Sequence, residues 1–134
     1  MAGIERFEDI QAWQEARVLV KMIYELCSGN RFAHDFGLKD QIQRAAVSIM
    51  NNIAEGFDCG STAEFLRFLG IARRSTVEVQ SLAYAALDLK YISQEQFEIV
   101  YAQAAKTKGL IGGFMHYLRT YKAEVPHSKS QVPR

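Results

Sequence analysis

The positions of the prolines limit the fold of this chain more than any other feature. Only Pro126 and Pro133 occur, and both lie close to the C-terminal end. Residues 1–125 therefore contain no side chain that forbids an α-helix. The chain has 134 residues, of which 49 % are apolar, and this suits one domain with a substantial core. We expect a single all-α domain.

Serines and glycines indicate where the helices begin and end. Residues 61–64 and 93–96 each fit a capping box, in which the first serine accepts from the amide three residues on. Asp9 is expected to cap the first helix, and Gly56 is expected to end the second in a left-handed conformation. The expected helices cover about residues 9–27, 38–56, 62–90 and 94–122.

The connections between these helices are short, and short connections join antiparallel neighbours. The sequence therefore predicts an antiparallel up-down-up-down four-helix bundle, which forms one domain over residues 1–122. Residues 123–134 are predicted to form a disordered C-terminal tail.

Two helices carry more apolar surface than a single bundle needs to bury. On a projection with about 100° per residue, Leu66, Val77 and Tyr84 form a second apolar line beside the core face of the third helix. Val47 and Met50 likewise point away from the core face of the second helix. Such lines predict a subunit interface, so we expect a homo-oligomer. The alternative is a set of scattered surface apolar residues, which are common.

The stretch SIMNNIAEGF, residues 48–57, places polar side chains in the second helix. Asn52 borders the apolar face, where its amide can hydrogen-bond across helices and fix their register. Glu55 lies on the polar face and is expected to meet Arg67 or Arg74 of the next helix. A structural role for Asn52 and Glu55 fits better than a binding role, and catalysis fits least.

Arginines of the third helix form the best basic cluster. Arg67 and Arg74 share a face, Arg73 lies beside them, and together they could follow the phosphates of a nucleic acid. Arg44, on the polar face of the second helix, is a further candidate contact. The alternative is a solvated face with ion pairs such as Arg74–Glu78.

Charge and residue spacing argue against several classes of function. The formal net charge of +1 comes from residues 123–134, so residues 1–122 are formally neutral and lack the basic excess of proteins that wrap nucleic acid. No Glu-x-x-His pair occurs within the predicted bundle, residues 1–122, and the chain has no Cys-x-x-Cys pair, so no metal site and no cofactor are expected. Cys27 and Cys59 fit reduced thiols of a cytoplasmic protein. No apolar run is long enough to span a membrane.

Three glycines interrupt the predicted fourth helix. Gly109, Gly112 and Gly113 each cost about 1 kcal/mol relative to alanine inside a helix. We expect a neighbouring helix, of this chain or of another subunit, to pack closely against them. A local bend is the alternative explanation.

The motifs of residues 40–92 resemble those of a known family. Residues 48–56 read SIMNNIAEG and match the signature SI-two residues-NIAEG. This signature belongs to the bacterial four-helix bundle family first noted in intervening sequences of large-subunit ribosomal RNA genes. The likeness covers about residues 6–122, including FEDIQAWQEARVL before the signature and GGFMHYLRTY after it. The chain departs from the family's usual residues at Met50, Asn51, Cys59 and Arg74.

The resemblance implies a four-helix bundle that assembles as a ring-shaped homopentamer. Related proteins are accessory subunits of reverse transcriptases in diversity-generating retroelements, where the ring binds nucleic acid and the polymerase. We therefore expect a non-enzymatic adaptor for RNA or for a nucleic-acid-processing enzyme such as a reverse transcriptase. The alternative is a protein–protein scaffold without nucleic-acid contact. An enzyme or small-ligand binder that uses Glu55 ranks third.

Overall fold

The computed structural model describes residues 3–121. Two short 3-10 turns, Phe7–Asp9 and Asn30–His34, precede the first and second helices. The four α-helices are α1 (Gln11–Leu26), α2 (Phe36–Asp58), α3 (Thr62–Asp88) and α4 (Gln94–Thr120). No strand occurs within these described residues, so the predicted all-α class with four helices is confirmed. The tail predicted at 123–134 lies outside them.

The helices pack side by side around one core. α1 contacts α2, α2 contacts α3, α3 contacts α4, and α4 returns to α1. Every helix contributes fully buried apolar side chains to the space between them. Burial of this apolar surface is the main favourable contribution to folding.

The core contains one polar side chain on α4. On α1, Leu19 is fully buried, whereas its neighbour Val20 is only half-buried. On α4, Thr107 is fully buried among apolar side chains. Its hydroxyl donates to the carbonyl of Gln103 at 2.8 Å, so this polar group is satisfied inside the core.

The start of α1 differs from the prediction. Asp9 does not cap α1, because its carboxylate accepts from the backbone amides of Glu5 at 2.9 Å and Arg6 at 3.3 Å. These bonds stabilise the 3-10 turn before the helix. Ile10 is the N-cap residue, and it has no side-chain cap hydrogen bond.

Serine and aspartate caps begin the other helices. The capping box at Ser93 and Gln96 forms with both of its hydrogen bonds. At Ser61 only half of the predicted capping box forms: the serine hydroxyl accepts from the amide of Glu64, whereas the Glu64 carboxylate binds Arg67. α2 begins at Phe36 because Asp35 accepts from the amide of Leu38 at 3.1 Å.

Gly56 does not end α2, which continues to Asp58. It is buried where α2 meets α3, and a Cβ atom there would lie 2.7 Å from Cδ1 of Phe65 and 2.8 Å from Cβ of Phe68. The left-handed residue of the connection is Gly60, with φ of 91°. Gly56 is therefore required by close helix packing, not by backbone conformation.

The glycines of α4 do not meet a neighbouring helix of the same chain. A Cβ atom at Gly109 or Gly113 would have no described atom within 4 Å. At Gly112 the nearest atom is Nη1 of Arg73, at 3.8 Å. The expectation of close helix packing is therefore wrong within the chain. Of the three glycines only Gly112 comes near α3, and there it meets the end of the Arg73 side chain. Contact with another subunit stays a prediction.

None of the described helices is long and apolar enough to cross a membrane. No group of three or more histidine, cysteine, aspartate or glutamate side chains among residues 3–121 is arranged to hold a metal ion.

Candidate functional site

Arg67 is held by neighbours on its own helix. Its Nε and Nη2 atoms donate to Oε1 of Glu64 at 3.1 and 3.0 Å, and its guanidinium lies 4.7 Å from the ring centroid of Phe68. Both charged side chains are more than half exposed, at 57 % and 51 %. An exposed pair of this kind contributes only about 0.3–0.5 kcal/mol, so Arg67 can exchange Glu64 for another anion at little cost.

Arg73 and Arg74 carry charges that no nearby carboxylate neutralises. Among residues 3–121, neither arginine forms an ion pair within 4.0 Å, and the considered pair of Arg74 with Glu78 is not formed. Two glycines leave room for them. Nη1 of Arg74 lies 3.9 Å from the position of a Cβ at Gly70, and Nη1 of Arg73 reaches α4 at Gly112.

The contact between Arg73 and Gly112 brings two basic regions together. Lys108, four residues before Gly112, and Arg119, seven residues after it, share its face of α4. Both side chains are exposed. The sequence indicated positive charge on α3, but it gave no sign that this charge meets basic residues of α4. We call Arg67, Arg73, Arg74, Lys108 and Arg119 the basic patch.

An exposed aromatic cluster lies further along the same two helices. Tyr84 of α3 is 51 % exposed, and its ring centroid lies 4.7 Å from that of Phe97 and 6.0 Å from that of Tyr101 on α4. Val77, seven residues before Tyr84 and therefore on the same side of α3, is 45 % exposed. Phe97 itself is buried, so the surface open to another molecule consists of Val77, Tyr84 and Tyr101, which we call the aromatic patch.

The other predicted interface residues are less available. Leu66 and Met50 are partly buried and pack against the core of their own chain. Val47 is half-buried in the wall of a surface groove. Val77 and Tyr84 are therefore the two predicted interface residues with the most surface left for another molecule.

The polar stretch of α2 links α2 to α3 through hydroxyl groups. Oγ of Ser48 and Oγ of the buried Ser75 share a hydrogen bond of 3.1 Å. Nδ2 of Asn52 donates to the carbonyl and the hydroxyl of Ser48, at 2.8 and 3.0 Å. The predicted cross-helix bond from the Asn52 amide is thus wrong, because that amide is used within α2. Asn52 instead orients the serine that makes the crossing.

Glu55 is exposed on the outer side of α2. It forms no ion pair with Arg67 or Arg74, so that prediction is also wrong. Arg67 is already bound to Glu64, which is closer along its own helix. Glu55 therefore lies on the open surface of this chain and not inside its core.

Arg44 lies in a groove on the outside of α2. Its Nε atom donates to Oδ2 of Asp40 at 2.8 Å, and this hydrogen bond raises the pKa of the Arg44 guanidinium. The groove has a volume of about 380 Å³. It is lined by Tyr24 of α1 and by six residues of α2: Asp40, Gln43, Arg44, Val47, Ser48 and Asn51.

The protein is a small helical bundle. Its described core leaves no buried polar side-chain atom without a hydrogen-bond partner, so its distinctive chemistry lies in the two patches on its outer surface. The chain belongs to the 23S rRNA-intervening sequence protein family, whose sequence profile matches residues 8–113. The resemblance inferred from the SIMNNIAEG stretch is confirmed by this match.

A solved structure has the same fold. It is a protein of unknown function from the S23 ribosomal protein family of Bacteroides thetaiotaomicron VPI-5482. The TM-score is 0.72 at 22 % sequence identity, and the match covers 78 % of this chain and 97 % of that one. No curated protein matches this chain.

Proposed function

We propose that this protein is a non-enzymatic adaptor that self-associates through its aromatic patch and binds RNA through its basic patch. The observation that carries the proposal is the division of the α3–α4 surface into these two regions. Arg73 and Arg74 are without ion-pair partners among residues 3–121 at one end. Tyr84 and Val77 leave about half of their surface exposed at the other.

The proposed topology is up-down-up-down. Two contacts support opposite directions for α3 and α4. Arg73, in the first half of α3, lies near Gly112 in the last third of α4. Tyr84, near the end of α3, meets Phe97 near the start of α4.

The aromatic patch supports self-association. Exposed apolar residues that lie together are typical of surfaces that bind another protein. Tyrosine is enriched at such interfaces because it brings a large rigid surface at little entropic cost. The family resemblance favours a homopentameric ring over a dimer.

The basic patch supports RNA as a partner. Arginine donates two parallel hydrogen bonds to a phosphate, and its charge is present at every physiological pH. Arg67, Arg73 and Arg74 lie within eight residues of α3, so their guanidinium groups can meet neighbouring phosphates of one strand. The family takes its name from the intervening sequences of 23S rRNA, and this also favours RNA.

A protein–protein scaffold is the second candidate, and a specific observation favours it. Residues 1–122 are formally neutral. In that case the basic patch would bind an acidic surface of a partner such as a reverse transcriptase. A short single-stranded RNA separates the two candidates because it offers phosphates without a protein surface.

The test is the salt dependence of RNA binding, measured by fluorescence anisotropy. For single strands, each lost phosphate contact reduces the slope of log K against log salt by about 0.7, so changing Arg67, Arg73 and Arg74 to glutamate should reduce it by about 2. A variant with Arg6, Arg17 and Lys90 changed to glutamate carries the same charge difference elsewhere and serves as control. Equal loss in both variants, or no RNA binding by the original protein, would contradict RNA as the partner.

A further inference from the structure

The groove on α2 combines groups that suit a nucleobase. Its volume of about 380 Å³ falls at the small end of ligand sites, which run from about 300 to 1,000 Å³. Tyr24 is 47 % exposed and offers an aromatic face on one side. Val47 is the only aliphatic side chain in the lining, so the groove does not suit an apolar helix.

The charged pair in the groove has unused bonding capacity. The contact between Arg44 and Asp40 joins Nε to Oδ2, which leaves both Nη groups of the arginine and Oδ1 of the aspartate. No other residue of the described chain forms an ion pair with either of them. Asn51, one turn beyond Ser48, adds an exposed side-chain amide.

A phosphate would fit this groove poorly. The Asp40 carboxylate already balances the charge of Arg44 and would repel a phosphate placed beside it. A neutral ring that carries donors next to acceptors suits the pair better, because the aspartate can accept while the arginine donates.

We propose that this groove binds a guanine base that projects from single-stranded RNA, with the base stacked on Tyr24. Asp40 accepts from the N1–H and N2–H groups of guanine, and Arg44 donates to O6 or N7. Adenine has an acceptor at N1 and would place it against the carboxylate. The inference rests on the proposed function for the RNA that supplies the base. The groove itself is lined by residues of α1 and α2, none of which belongs to the basic patch.

The experiment is an NMR titration of the ¹⁵N-labelled full chain with GMP and, separately, with AMP. Shifts should appear at Arg44, Ser48 and Asn51 with GMP, and AMP should bind at least about tenfold more weakly, because its N1 acceptor would face the Asp40 carboxylate. Asp40→Asn should remove this preference. Shifts elsewhere, or equal affinity for GMP and AMP, would overturn the proposal.

Two tyrosine variants test the stacking. Tyr24→Ala should weaken GMP binding at least about fivefold, whereas Tyr24→Phe keeps the ring and should bind as the original protein does. Tyr121→Ala, at an exposed tyrosine outside the groove, is the matched control and should change nothing. If Tyr24→Ala changes the sedimentation coefficient in the absence of nucleotide, a second copy covers the groove and the proposal fails.

The outcomes separate this inference from the proposed function. If RNA binding depends on Arg67, Arg73 and Arg74 but GMP causes no shifts at the groove, the adaptor role is supported and the guanine site is contradicted. If GMP causes guanine-selective shifts but the protein has no salt-dependent affinity for RNA, the guanine site is supported and the role as an RNA adaptor is contradicted.

Discussion

Gly56 of α2 lies so close to Phe65 of α3 that a methyl group at position 56 would come within 2.7 Å of the ring. The second neighbour is Cβ of Phe68, at 2.8 Å. Because this atom is bonded directly to the backbone, it can move aside only if the backbone of α3 moves with it. Among the glycines of the four α-helices, Gly56 leaves the least room for a Cβ atom. The SIMNNIAEG stretch therefore ends in a packing requirement.

Gly56→Ala should destabilise the bundle. Overpacking of this kind costs about 1–3 kcal/mol, and the higher helix propensity of alanine returns at most about 1 kcal/mol. We expect the free energy of unfolding to fall by about 1–2 kcal/mol, measured by urea denaturation. An unchanged value would mean that the α2–α3 contact relaxes freely.

Gly113→Ala is the matched control, since no described atom lies within 4 Å of a Cβ there. The same substitution in an open position of α4 should raise the free energy of unfolding by up to about 1 kcal/mol. If Gly113→Ala instead disrupts self-association in sedimentation, another subunit packs against this glycine.

Ser48 and Ser75 should be energetically coupled. Their hydroxyl groups share the 3.1 Å hydrogen bond between α2 and α3, and Ser75 is only 7 % exposed. A double-mutant cycle with Ser48→Ala and Ser75→Ala should give a coupling free energy of about 0.5–1.5 kcal/mol. Strictly additive losses would contradict a bond between them. Ser28→Ala, at an exposed serine bonded within its own turn, is a suitable reference.

Glu15 should make stability depend on pH in the acidic range. Gln103 donates to Oε1 of Glu15 at 2.8 Å, and this bond, with a smaller contribution from Lys106, lowers the pKa of the Glu15 carboxyl. A lowered pKa in the folded state contributes stability above the ordinary value of about 4.3, and this contribution is lost as pH falls through the folded-state pKa.

The comparison with Glu15→Gln checks this sign. The difference in unfolding free energy between the original protein and the variant should be greatest near neutral pH and should shrink as the pH falls below about 4. A difference that grows on acidification would contradict the arrangement of Glu15, Gln103 and Lys106 between α1 and α4.

Much of the fold could be predicted because it depends on local rules. The absence of proline from residues 1–125 and the 3.6-residue period gave four helices in the right places. Ser61 and Ser93 gave two helix starts. Asp9 misled the prediction because its carboxylate accepts from amides that precede it, at the start of the 3-10 turn, and not from amides of α1. The sequence does not distinguish these two arrangements.

The candidate site was harder to predict because it depends on which helix lies opposite. A glycine can end a helix or admit a neighbour, and only the position of Phe65 decides this for Gly56. Arg67 or Arg74 of α3 was the expected partner of Glu55, but Glu64 lies one turn from Arg67 on the same helix and pairs with it. The meeting of Arg73 with Gly112 follows from the α3–α4 register, which no local pattern encodes.

The central claim is that identical chains associate through the aromatic patch. Tyr84→Glu combined with Val77→Glu would place two charges in that patch and should dissociate the assembly at micromolar protein. Phe36→Glu is the control, because Phe36 is 69 % exposed and lies outside the patch.

Multi-angle light scattering of the full chain at micromolar concentration tests this claim most directly. One chain has a mass of 15.2 kDa, so the proposed pentamer has five times that mass, about 76 kDa. We expect a mass near that value for the original protein and for Phe36→Glu, and 15.2 kDa for the Val77 and Tyr84 double variant. A mass of 15.2 kDa for the original protein would contradict self-association and, with it, the adaptor role proposed for the assembled bundle.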